Sequence, residues 1–338
     1  MSVRIGLIGA GRMGMTFAHH LVNSVAEAEL AAIADAHGKT AANAAAQFGV
    51  ESTYSDYRSL LEQKDIQAVV IATPTNTHPE VIRASAVAGK HIFCEKPLAL
   101  SLPECDAAIA AVNSAGVKLQ LGFMRRFDAG YAGAKKKIEQ GVIGKPVMFK
   151  STGRDPKRTS LEFARRENSG GLIADMAAHD FDLARWLMGS EVAQVSSEGG
   201  CLVYPELSQA GDIDNAVINL KFANGAIGNV DVSRNAVYGY DIRTEVLGSE
   251  GSLIISKIRQ TPILVLTRAG VTHDTVPYFM ERFAEAYAAE IRDFVACIRE
   301  DREPAVTGQD GRCAAAIGIA ATRSLDEGRP VKVSEVEQ

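Results

Sequence analysis

The chain has 338 residues, of which 46% are hydrophobic and 23% are charged, and its formal net charge is -5. This composition excludes a disordered chain, a collagen-like repeat and a small disulfide-stapled domain. A single hydrophobic core stops growing at about 250 to 300 residues, so the length favours two domains. Because the basic residues are spread along the chain and do not outnumber the acidic ones, we expect no nucleic-acid partner.

The five cysteines are widely spaced and include no Cys-x-x-Cys pair. This pattern is typical of reduced thiols, not of a disulfide framework, and it favours a cytoplasmic protein. The longest apolar stretch, residues 313–321, is far short of the roughly 20 residues that cross a bilayer, so we expect no membrane association. The apolar run near the N-terminus leads directly into a glycine-rich turn and is interpreted as the first strand of a folded domain, not as a signal peptide.

Residues 1–122 alternate short aliphatic runs with segments of helix length. The predicted strands are residues 3–8, 30–34, 68–72, 91–94 and 119–121. The segments between them are predicted crossover helices: residues 13–22, 39–48, 57–63, 78–88 and 102–115, the last with a capping box of Ser101 and Glu104. This order predicts βα units around a doubly wound parallel sheet.

After residue 122 the predicted strands follow one another with little helix between them. They are residues 192–198, 216–222, 226–232, 243–247, 252–255 and 263–266, and Asn224-Gly225 predicts a two-residue hairpin. Residues 172–188, 283–300 and 311–327 are predicted helices. Antiparallel pairing is the economical interpretation, so the second domain is predicted to be α+β with a large, mainly antiparallel open sheet.

The segment Gly9-Ala10-Gly11-Arg12-Met13-Gly14 follows the first predicted strand and opens a helix. In that setting Gly9 allows a tight turn, Gly11 lets backbone N–H groups approach a pyrophosphate, and Gly14 lets the helix pack closely. The helix N-terminus can then hold the anion, so the segment predicts a dinucleotide site. A purely structural glycine turn is the alternative interpretation.

Asp35 ends the second predicted strand, 21 residues after Gly14. At that place a carboxylate accepts hydrogen bonds from the adenosine ribose hydroxyls and repels a 2′-phosphate, which favours NAD over NADP. His37 and Lys39 lie close enough in sequence to weaken that repulsion. The alternative interpretation is an N-cap for the following helix.

Two polar segments follow the third and fourth predicted strands: Thr73-Pro74-Thr75-Asn76-Thr77-His78 and Glu95-Lys96-Pro97. Both lie at carboxyl ends of strands, where ligands of open α/β sheets bind. From spacing alone, a surface lysine is the simpler interpretation of Lys96.

With these three motifs in this order, the chain resembles the glucose-fructose oxidoreductase and inositol dehydrogenase family, often written Gfo/Idh/MocA, over essentially its whole length. The resemblance implies an NAD-binding Rossmann domain at residues 1–122 and a domain for substrate binding and oligomerisation at residues 123–338. It implies hydride transfer between a nicotinamide and a sugar or polyol carbon, with Lys96 on the substrate and a cis bond between Lys96 and Pro97. The expected cofactor contacts are Gly9, Gly11, Arg12, Met13, Gly14, Asp35, Thr73, Pro74, Asn76, His78, Glu95 and Lys96.

A second signature of that family is the DxxxHxxD pattern of Asp175, His179 and Asp182. On a helix, residues at i, i+4 and i+7 share a face, so two carboxylates and an imidazole converge on one bound hydroxyl. A buried structural histidine is the alternative interpretation of His179.

Oxidation of a secondary alcohol requires a group that takes the hydroxyl proton as the hydride leaves. We predict His179 as that base, because histidine exchanges protons near neutral pH, with Asp175 orienting its ring. Lys96 is predicted to hydrogen-bond the same oxygen and relay the proton. The predicted substrate contacts are Lys96, Arg126, Asp155, Asp175, His179, Asp182 and Tyr238. For Arg126, a solvated cation or an ion pair within the protein is an equal alternative.

Residues 122–131 and 238–242 resemble the inositol-dehydrogenase branch of the family, which implies a cyclic polyol such as an inositol as substrate. The segment Gly153-Arg154-Asp155-Pro156 departs from the HRNP pattern of that branch, so the stereoisomer stays open. The alternatives are a related sugar or anhydrosugar dehydrogenase or reductase, and a non-catalytic NAD-binding sensor. A zinc enzyme is excluded because no Cys and His set has ligand spacing, so we predict no metal.

The open sheet of the second domain needs a cover on the face that its own helices do not reach. We therefore predict assembly through that face, and the family resemblance makes the assembly a homotetramer.

Overall fold

The structure is a computed structural model that describes residues 2–337. It divides into two compact units. The first comprises residues 2–127 with Glu285–Ala315, and the second comprises Asp128–Ala284 with residues 316–337. The sequence predicts a single cut after residue 122; in the structure the first unit extends to Phe127 and also contains a later segment.

The first unit is built on a six-stranded parallel sheet in the order β3-β2-β1-β4-β5-β6. Its strands are β1 (Val3–Ile8), β2 (Ala28–Ala34), β3 (Ser52–Tyr54), β4 (Ala68–Ile71), β5 (His91–Glu95) and β6 (Leu119–Gly122). The helices between them are α1 (Arg12–Asn23), α2 (Gly38–Phe48), α3 (Tyr57–Leu61), α4 (His78–Val87) and α5 (Leu102–Ala115). The Ser101 side chain caps α5 as predicted. This is the predicted Rossmann architecture, except that the short strand β3 is not among the five predicted strands. The strand order reverses between β1 and β4.

The second unit begins with α6 (Ala129–Glu139), β7 (Pro146–Arg154) and four short helices, α7 (Leu161–Ala164), α8 (Arg166–Ser169), α9 (Gly171–Met176) and α10 (Ala178–Met188). The following strands are β8 (Val192–Gly200), β9 (Asn215–Phe222), β10 (Ile227–Ser233), β11 (Asp241–Gly248), β12 (Ser252–Ser256), β13 (Val265–Thr267) and β14 (Gly270–Thr272). The chain ends with α11 (Phe279–Glu300), α12 (Gly308–Glu327) and β15 (Val331–Lys332). The unit boundaries fall inside α11 and α12.

The sheet of the second unit has seven strands in the order β12-β11-β7-β10-β9-β8-β15. Only β7 and β10 run parallel to each other, so the sheet is mixed and mainly antiparallel. A hairpin at Asn224-Gly225 joins β9 to β10 as predicted, with Gly225 at a φ of +88°. Four residues, 223–226, separate the two strands in place of the predicted two. The predicted fold class is confirmed, and β13 and β14 form a separate small hairpin.

Aromatic rings explain why Glu285–Ala315 belongs to the first unit. Phe17 of α1, Phe93 of β5 and Phe294 of α11 are fully buried. The ring centroids of Phe17 and Phe93 lie 5.0 Å apart, and those of Phe93 and Phe294 lie 5.9 Å apart, both edge to face. Such pairs contribute about 0.5–1.5 kcal/mol each beyond area burial, so this part of α11 is held to the parallel sheet.

One face of the second sheet is covered by helix and the other is exposed. Ser151 of β7 donates a hydrogen bond of 2.6 Å to Asp180 of α10, which fixes that helix on the inner face. The outer face carries exposed apolar side chains at Val217, Ile227, Leu247 and Ile254. Isolated exposed apolar residues are ordinary, but four on one sheet face form a patch that a partner can cover.

Candidate active site

The glycine loop between β1 and α1 is closely packed on one side and open on the other. Gly9 has a φ of +93°, and a Cβ atom there would lie 2.7 Å from the carbonyl oxygen of Ala72. A Cβ atom on Gly14 would overlap the carbonyl oxygen of Gly9, whereas one on Gly11 would meet nothing within 4 Å. Gly9 and Gly14 therefore bring the helix close to the sheet, and Gly11 borders open space.

The N-terminus of α1 carries the features of an anion site. Gly11 is its N-cap, no side chain caps it, and its first turn contains no acidic residue. The first N–H groups of a helix have no partner within the helix, and the helix dipole makes this end positive. A pyrophosphate matches both features, so the loop suits a dinucleotide. Arg12 and Met13 are the first two residues of this helix, and Arg12 is exposed.

Asp35 follows β2 beside the glycine loop. Its Oδ2 accepts a hydrogen bond of 2.8 Å from the N–H of Ala10, and its Oδ1 accepts one of 2.8 Å from the N–H of His37. These bonds fix the carboxylate, whose oxygens keep further lone pairs for ribose hydroxyls. The N-cap of α2 is His37, so the structure does not support the alternative of Asp35 as the helix cap.

His78 joins two of the predicted cofactor segments. Its ring is 1% exposed, with Nδ1 2.8 Å from the carbonyl oxygen of Pro97 and Nε2 3.0 Å from that of Thr73. Burial lowers the pKa of His78 more than these two bonds raise it, which favours the neutral ring. A neutral ring has one N–H and donates to only one of the two carbonyls at a time. Through these two contacts His78 links the segment after β4 to the segment after β5. A contact of His78 with the cofactor stays a prediction.

The other residues of these two segments lie at the predicted place after β4 and β5. Pro74 and Asn76 are exposed, and Thr73 is half-buried. Lys96 is half-buried, its backbone N–H donates to the Glu95 carboxylate at 3.0 Å, and its bond to Pro97 is cis, as predicted. The polar groups of both segments thus lie at the carboxyl edge of the parallel sheet.

The structure also buries the carboxyl group of Glu290, a residue that the sequence predictions do not include. Glu290 of α11 is 0% exposed, and neither carboxyl oxygen has a hydrogen-bond partner within the described residues. Burial, together with the charge of Glu95, raises the pKa of Glu290 well above its usual value. Its backbone carbonyl accepts a hydrogen bond of 2.8 Å from the side chain of Gln120 on β6. Its surroundings, which include Glu95, therefore favour the protonated form of Glu290.

Asp175, His179 and Asp182 lie on consecutive helices. The predicted single helix over residues 172–188 is interrupted at Ala177, which leaves Asp175 in α9 and the other two residues in α10. The N–H of Phe181 still bonds to the carbonyl of Ala177, at 2.8 Å, so the interruption is slight. His179 and Asp182 are buried, and Asp175 is half-buried.

Arg234, which the sequence predictions also missed, pairs with two predicted site residues. Its side chain is 3% exposed, its Nη2 donates to Asp175 Oδ2 at 3.0 Å, and its Nη1 lies 3.9 Å from Asp155 Oδ2. Its position in the sequence could have identified Arg234, because it directly follows strand β10. Polar residues that form a site at the edge of a sheet stand directly after a strand in the same way. Asp155 likewise follows β7 directly.

The remaining predicted substrate residues have partners within the protein. Arg126 donates a bond of 2.9 Å to Asp310 Oδ1, so the alternative of an ion pair is observed, and its substrate contact stays a prediction. Tyr238 is exposed by 46%, and its hydroxyl donates to Asp241 at 2.8 Å. Burial raises the pKa of Tyr238, with Asp241 adding to the effect.

The structure thus forms two groups of predicted site residues. The first unit contains the glycine loop, Asp35, Thr73, His78 and Lys96, and the second contains Asp155, Asp175, His179, Asp182 and Tyr238. The convergence of Lys96 with His179 stays a prediction. Among residues 2–337, no group of three or more His, Cys, Asp or Glu side chains is arranged to hold a metal ion. Over the same range, no helix has the length and apolar character needed to cross a membrane.

Comparison with known proteins matches both units. Residues 3–123 match the model of an oxidoreductase family with an NAD-binding Rossmann fold, and residues 135–333 match the C-terminal alpha/beta domain of the same family. The chain is 43% identical over 331 residues to the scyllo-inositol 2-dehydrogenase (NAD(+)) of Bacillus subtilis, covering 98% of this chain and 96% of the relative. It is 42% identical over 335 residues to the myo-inositol 2-dehydrogenase of Thermotoga maritima, covering 99% of each.

A solved structure gives the same result. The scyllo-inositol dehydrogenase from Lactobacillus casei, crystallised with bound NAD(H) and scyllo-inositol, superposes with a TM-score of 0.94 at 31% identity. The alignment covers 99% of this chain and 100% of that chain. The similarity therefore extends over both units.

Proposed function

The chain belongs to the Gfo/Idh/MocA oxidoreductase family, and we propose that it oxidises a secondary hydroxyl of an inositol or a similar cyclic polyol to the ketone with NAD. The observation that carries this proposal is the full-length similarity to inositol 2-dehydrogenases. The glycine loop and Asp35 suit the cofactor independently of that similarity.

We assign cofactor binding to residues of the first unit. The α1 N-terminus, with Gly9, Gly11, Arg12, Met13 and Gly14, takes the pyrophosphate. Asp35, held by two backbone N–H groups, accepts from the adenosine ribose and disfavours a 2′-phosphate, so NAD is preferred over NADP. The segments after β4 and β5 hold the rest of the cofactor through Thr73, Pro74, Asn76, His78, Glu95 and Lys96.

We assign proton transfer to Lys96, Asp175 and His179. When NAD is bound, its nicotinamide accepts the hydride from the substrate carbon. His179 takes the hydroxyl proton as the general base, and Lys96 hydrogen-bonds the same oxygen and relays the proton. Asp175 is held as a carboxylate by Arg234 and orients the imidazole. The ammonium group of the half-buried Lys96, placed next to the reacting oxygen, also stabilises the negative charge that develops there.

Recognition of a polyol ring requires several polar partners. Arg126, Asp155, Asp182 and Tyr238 complete that set with the three proton-transfer residues. A site built for hydroxyl groups strongly rejects analogues that lack them, because its buried polar groups are then left unpaired. Two of the relatives, at nearly equal identity to this chain, are named for different inositol isomers, so an assay must establish which isomer this chain prefers.

We also propose a homotetramer that works in cytoplasmic sugar metabolism. The support for assembly is the exposed apolar patch on the outer sheet face, Val217, Ile227, Leu247 and Ile254. The support for the compartment is that all five cysteines are free. Light scattering should give a tetramer mass, and a monomer at assay concentration would refute the assembly.

A steady-state screen tests the function. The purified protein is assayed at 340 nm with inositol isomers and aldoses, each with NAD and with NADP. We expect NADH formation with at least one inositol and a lower kcat/KM with NADP. A faster reaction with an aldose would favour the related sugar dehydrogenase. Binding of NADH without turnover of any polyol or aldose would favour a non-catalytic sensor.

A further inference from the structure

Arg234 joins three separate elements of the second unit. Its backbone N–H donates to the carbonyl of Asp214 at 2.9 Å, which fixes the residue at the end of β10. Its guanidinium bonds to Asp175 on α9 and lies within ion-pair distance of Asp155 after β7. A planar guanidinium can serve two carboxylates in different directions, which a lysine ammonium does with less defined geometry.

Acidic groups stabilise the charge of the buried Arg234 guanidinium. The groups that act on it are Asp175, Asp155 and Asp212, and the last accepts a bond of 2.7 Å from the N–H of Leu172. Burial alone would lower the pKa of Arg234, but the charges of Asp175 and Asp155 outweigh it and raise the pKa. Burial raises the pKa of Asp212. All three carboxyl groups therefore favour the charged form of the Arg234 guanidinium.

Removal of that cation would take away a positive charge that lies 3.0 Å from the Asp175 carboxyl group and 3.9 Å from that of Asp155. The side chains of Asp155 and Asp175 are 16% and 17% exposed, so water screens them only in part. Loss of a nearby positive charge makes ionisation of each carboxyl group less favourable, so each takes up a proton more readily. A protonated carboxyl group donates a hydrogen bond where the carboxylate only accepted one.

We propose that Arg234 is a positioning residue of the polyol site, which holds Asp175 and Asp155 as two ionised acceptors at a fixed spacing for substrate hydroxyls. This role rests on the proposed function. It predicts that the cation matters through the protonation and orientation of the two aspartates, and not through contact with the substrate itself.

The experiment compares Arg234→Met and Arg234→Lys with the wild-type enzyme and with Arg323→Met. Arg323 forms an exposed ion pair with Glu327 in the same unit and serves as the matched control. For each protein, kcat and KM for the best inositol are measured from pH 5 to pH 10, with NADH affinity by fluorescence and melting temperature alongside.

We expect Arg234→Met to lower kcat/KM about 100-fold at pH 7, as small misplacements of catalytic groups do. The acid limb of its pH profile of kcat/KM should move to higher pH, because the two aspartates then lose their protons only at higher pH. Arg234→Lys should fall between this variant and the wild type, while NADH affinity and Arg323→Met stay at wild-type values. If Arg234→Met does not fold, Arg234→Lys carries the same test with a smaller shift.

A double variant separates charge from packing. In Arg234→Met combined with Asp155→Asn, one of the two like charges is gone, so the acid limb should return toward that of the wild type. An acid limb that is the same in the wild type and both Arg234 variants would overturn the proposal while leaving the dehydrogenase function intact. A wild-type protein that turns over no polyol would instead overturn the proposed function, and this role with it.

Discussion

The glycine loop of the first unit and the Arg234 cluster of the second use opposite means to prepare a ligand site. The loop works through main-chain groups: two glycines without Cβ atoms and a helix end with open N–H groups. The cluster works through side chains, in which one guanidinium holds two carboxylates from different elements. The pyrophosphate is the same in every dinucleotide cofactor. One polyol differs from another in the positions of its hydroxyl groups, and the site must distinguish those positions.

This difference predicts how each region tolerates change. A site built from main-chain groups is lost when the backbone is forced to move, and a side chain added at one of its glycines forces such a movement. A side-chain cluster is lost when one charge is removed, because the remaining charges are left unpaired in a partly buried place. The variants below test the two regions separately, since NADH binding reports on the first and polyol turnover requires both.

The largest effect is expected from the proton-transfer residues. Lys96→Ala and His179→Ala should each lower kcat about 100- to 10,000-fold, which is the range for loss of general acid–base catalysis. NADH affinity, measured by fluorescence titration, should persist in both. Lys64→Ala and His273→Ala, at exposed positions of the same two units, are the controls. Near-normal turnover in either active-site variant would remove that residue from the mechanism.

The next effect should come from Gly14→Ala. Its methyl group would overlap the carbonyl oxygen of Gly9, so the loop must shift at a cost of about 1–3 kcal/mol. If the shift of the loop weakens the binding free energy of NADH by that amount, NADH affinity drops roughly 5- to 150-fold. Gly38→Ala, where a Cβ atom meets nothing within 4 Å, should bind NADH normally. Equal affinity in the two variants would contradict the main-chain description of this site.

A smaller effect is expected from Asp35→Asn, which keeps one acceptor oxygen and loses the charge. A hydrogen bond to a charged group contributes about 1.5–3 kcal/mol, and the lower end corresponds to roughly a tenfold loss of kcat/KM with NAD. Discrimination against NADP should narrow at the same time. Glu51→Gln, at an exposed position, is the control. An unchanged ratio of the two cofactor efficiencies would argue against contact between Asp35 and the ribose.

The smallest effect concerns the stability that His78 contributes. Because burial lowers its pKa below the unfolded value of about 6.5, the neutral ring stabilises the fold above that pH. This contribution is lost as the pH falls below about 6.5 toward the folded pKa. His78→Gln should lower the melting temperature at pH 7 by a few degrees, from about 0.5–1.5 kcal/mol of hydrogen bonding. The difference in melting temperature between the variant and the wild type should be smaller at pH 5 than at pH 7.

The matched control is His273→Gln, since His273 is exposed. The pKa values of His20 and His91 are also lowered by burial, but both residues are present in the wild type and in the variant, so their effect cancels in the difference. A gap that widens on acidification would show that the His78 ring is charged in the folded protein.

The sequence predicts five of the six strands of the parallel sheet and omits the short β3, whereas in the second unit it omits a whole strand of the sheet and a helix. Strand β7 lies inside the second sheet and was missed, because Phe149 is the one large apolar side chain that it buries. Helix α6 was missed because most of its side chains are exposed and its buried positions are few. Neither segment has the strong hydrophobic period on which such predictions depend.

Assignment of Glu285–Ala315 to the first unit could not be predicted for a different reason. Its hydrophobic pattern identifies a helix, and the end of α11 at Glu300 agrees with the prediction. The pattern does not say which sheet that helix packs against, since any buried aromatic surface of the right shape would satisfy Phe294.

The sequence alone determined the sites that are local in the chain. The glycine loop and Asp35 lie within 27 residues of one another, so their chemistry is set by a short run of backbone conformations that the residue types dictate. Tertiary structure alone decided that Arg234 bonds to Asp175, 59 residues away, that Asp155 lies near the same guanidinium, and that the Glu290 carboxyl group is buried. Charges and burial act through distance in space, and distance between remote residues is fixed only when the sheets and helices have packed.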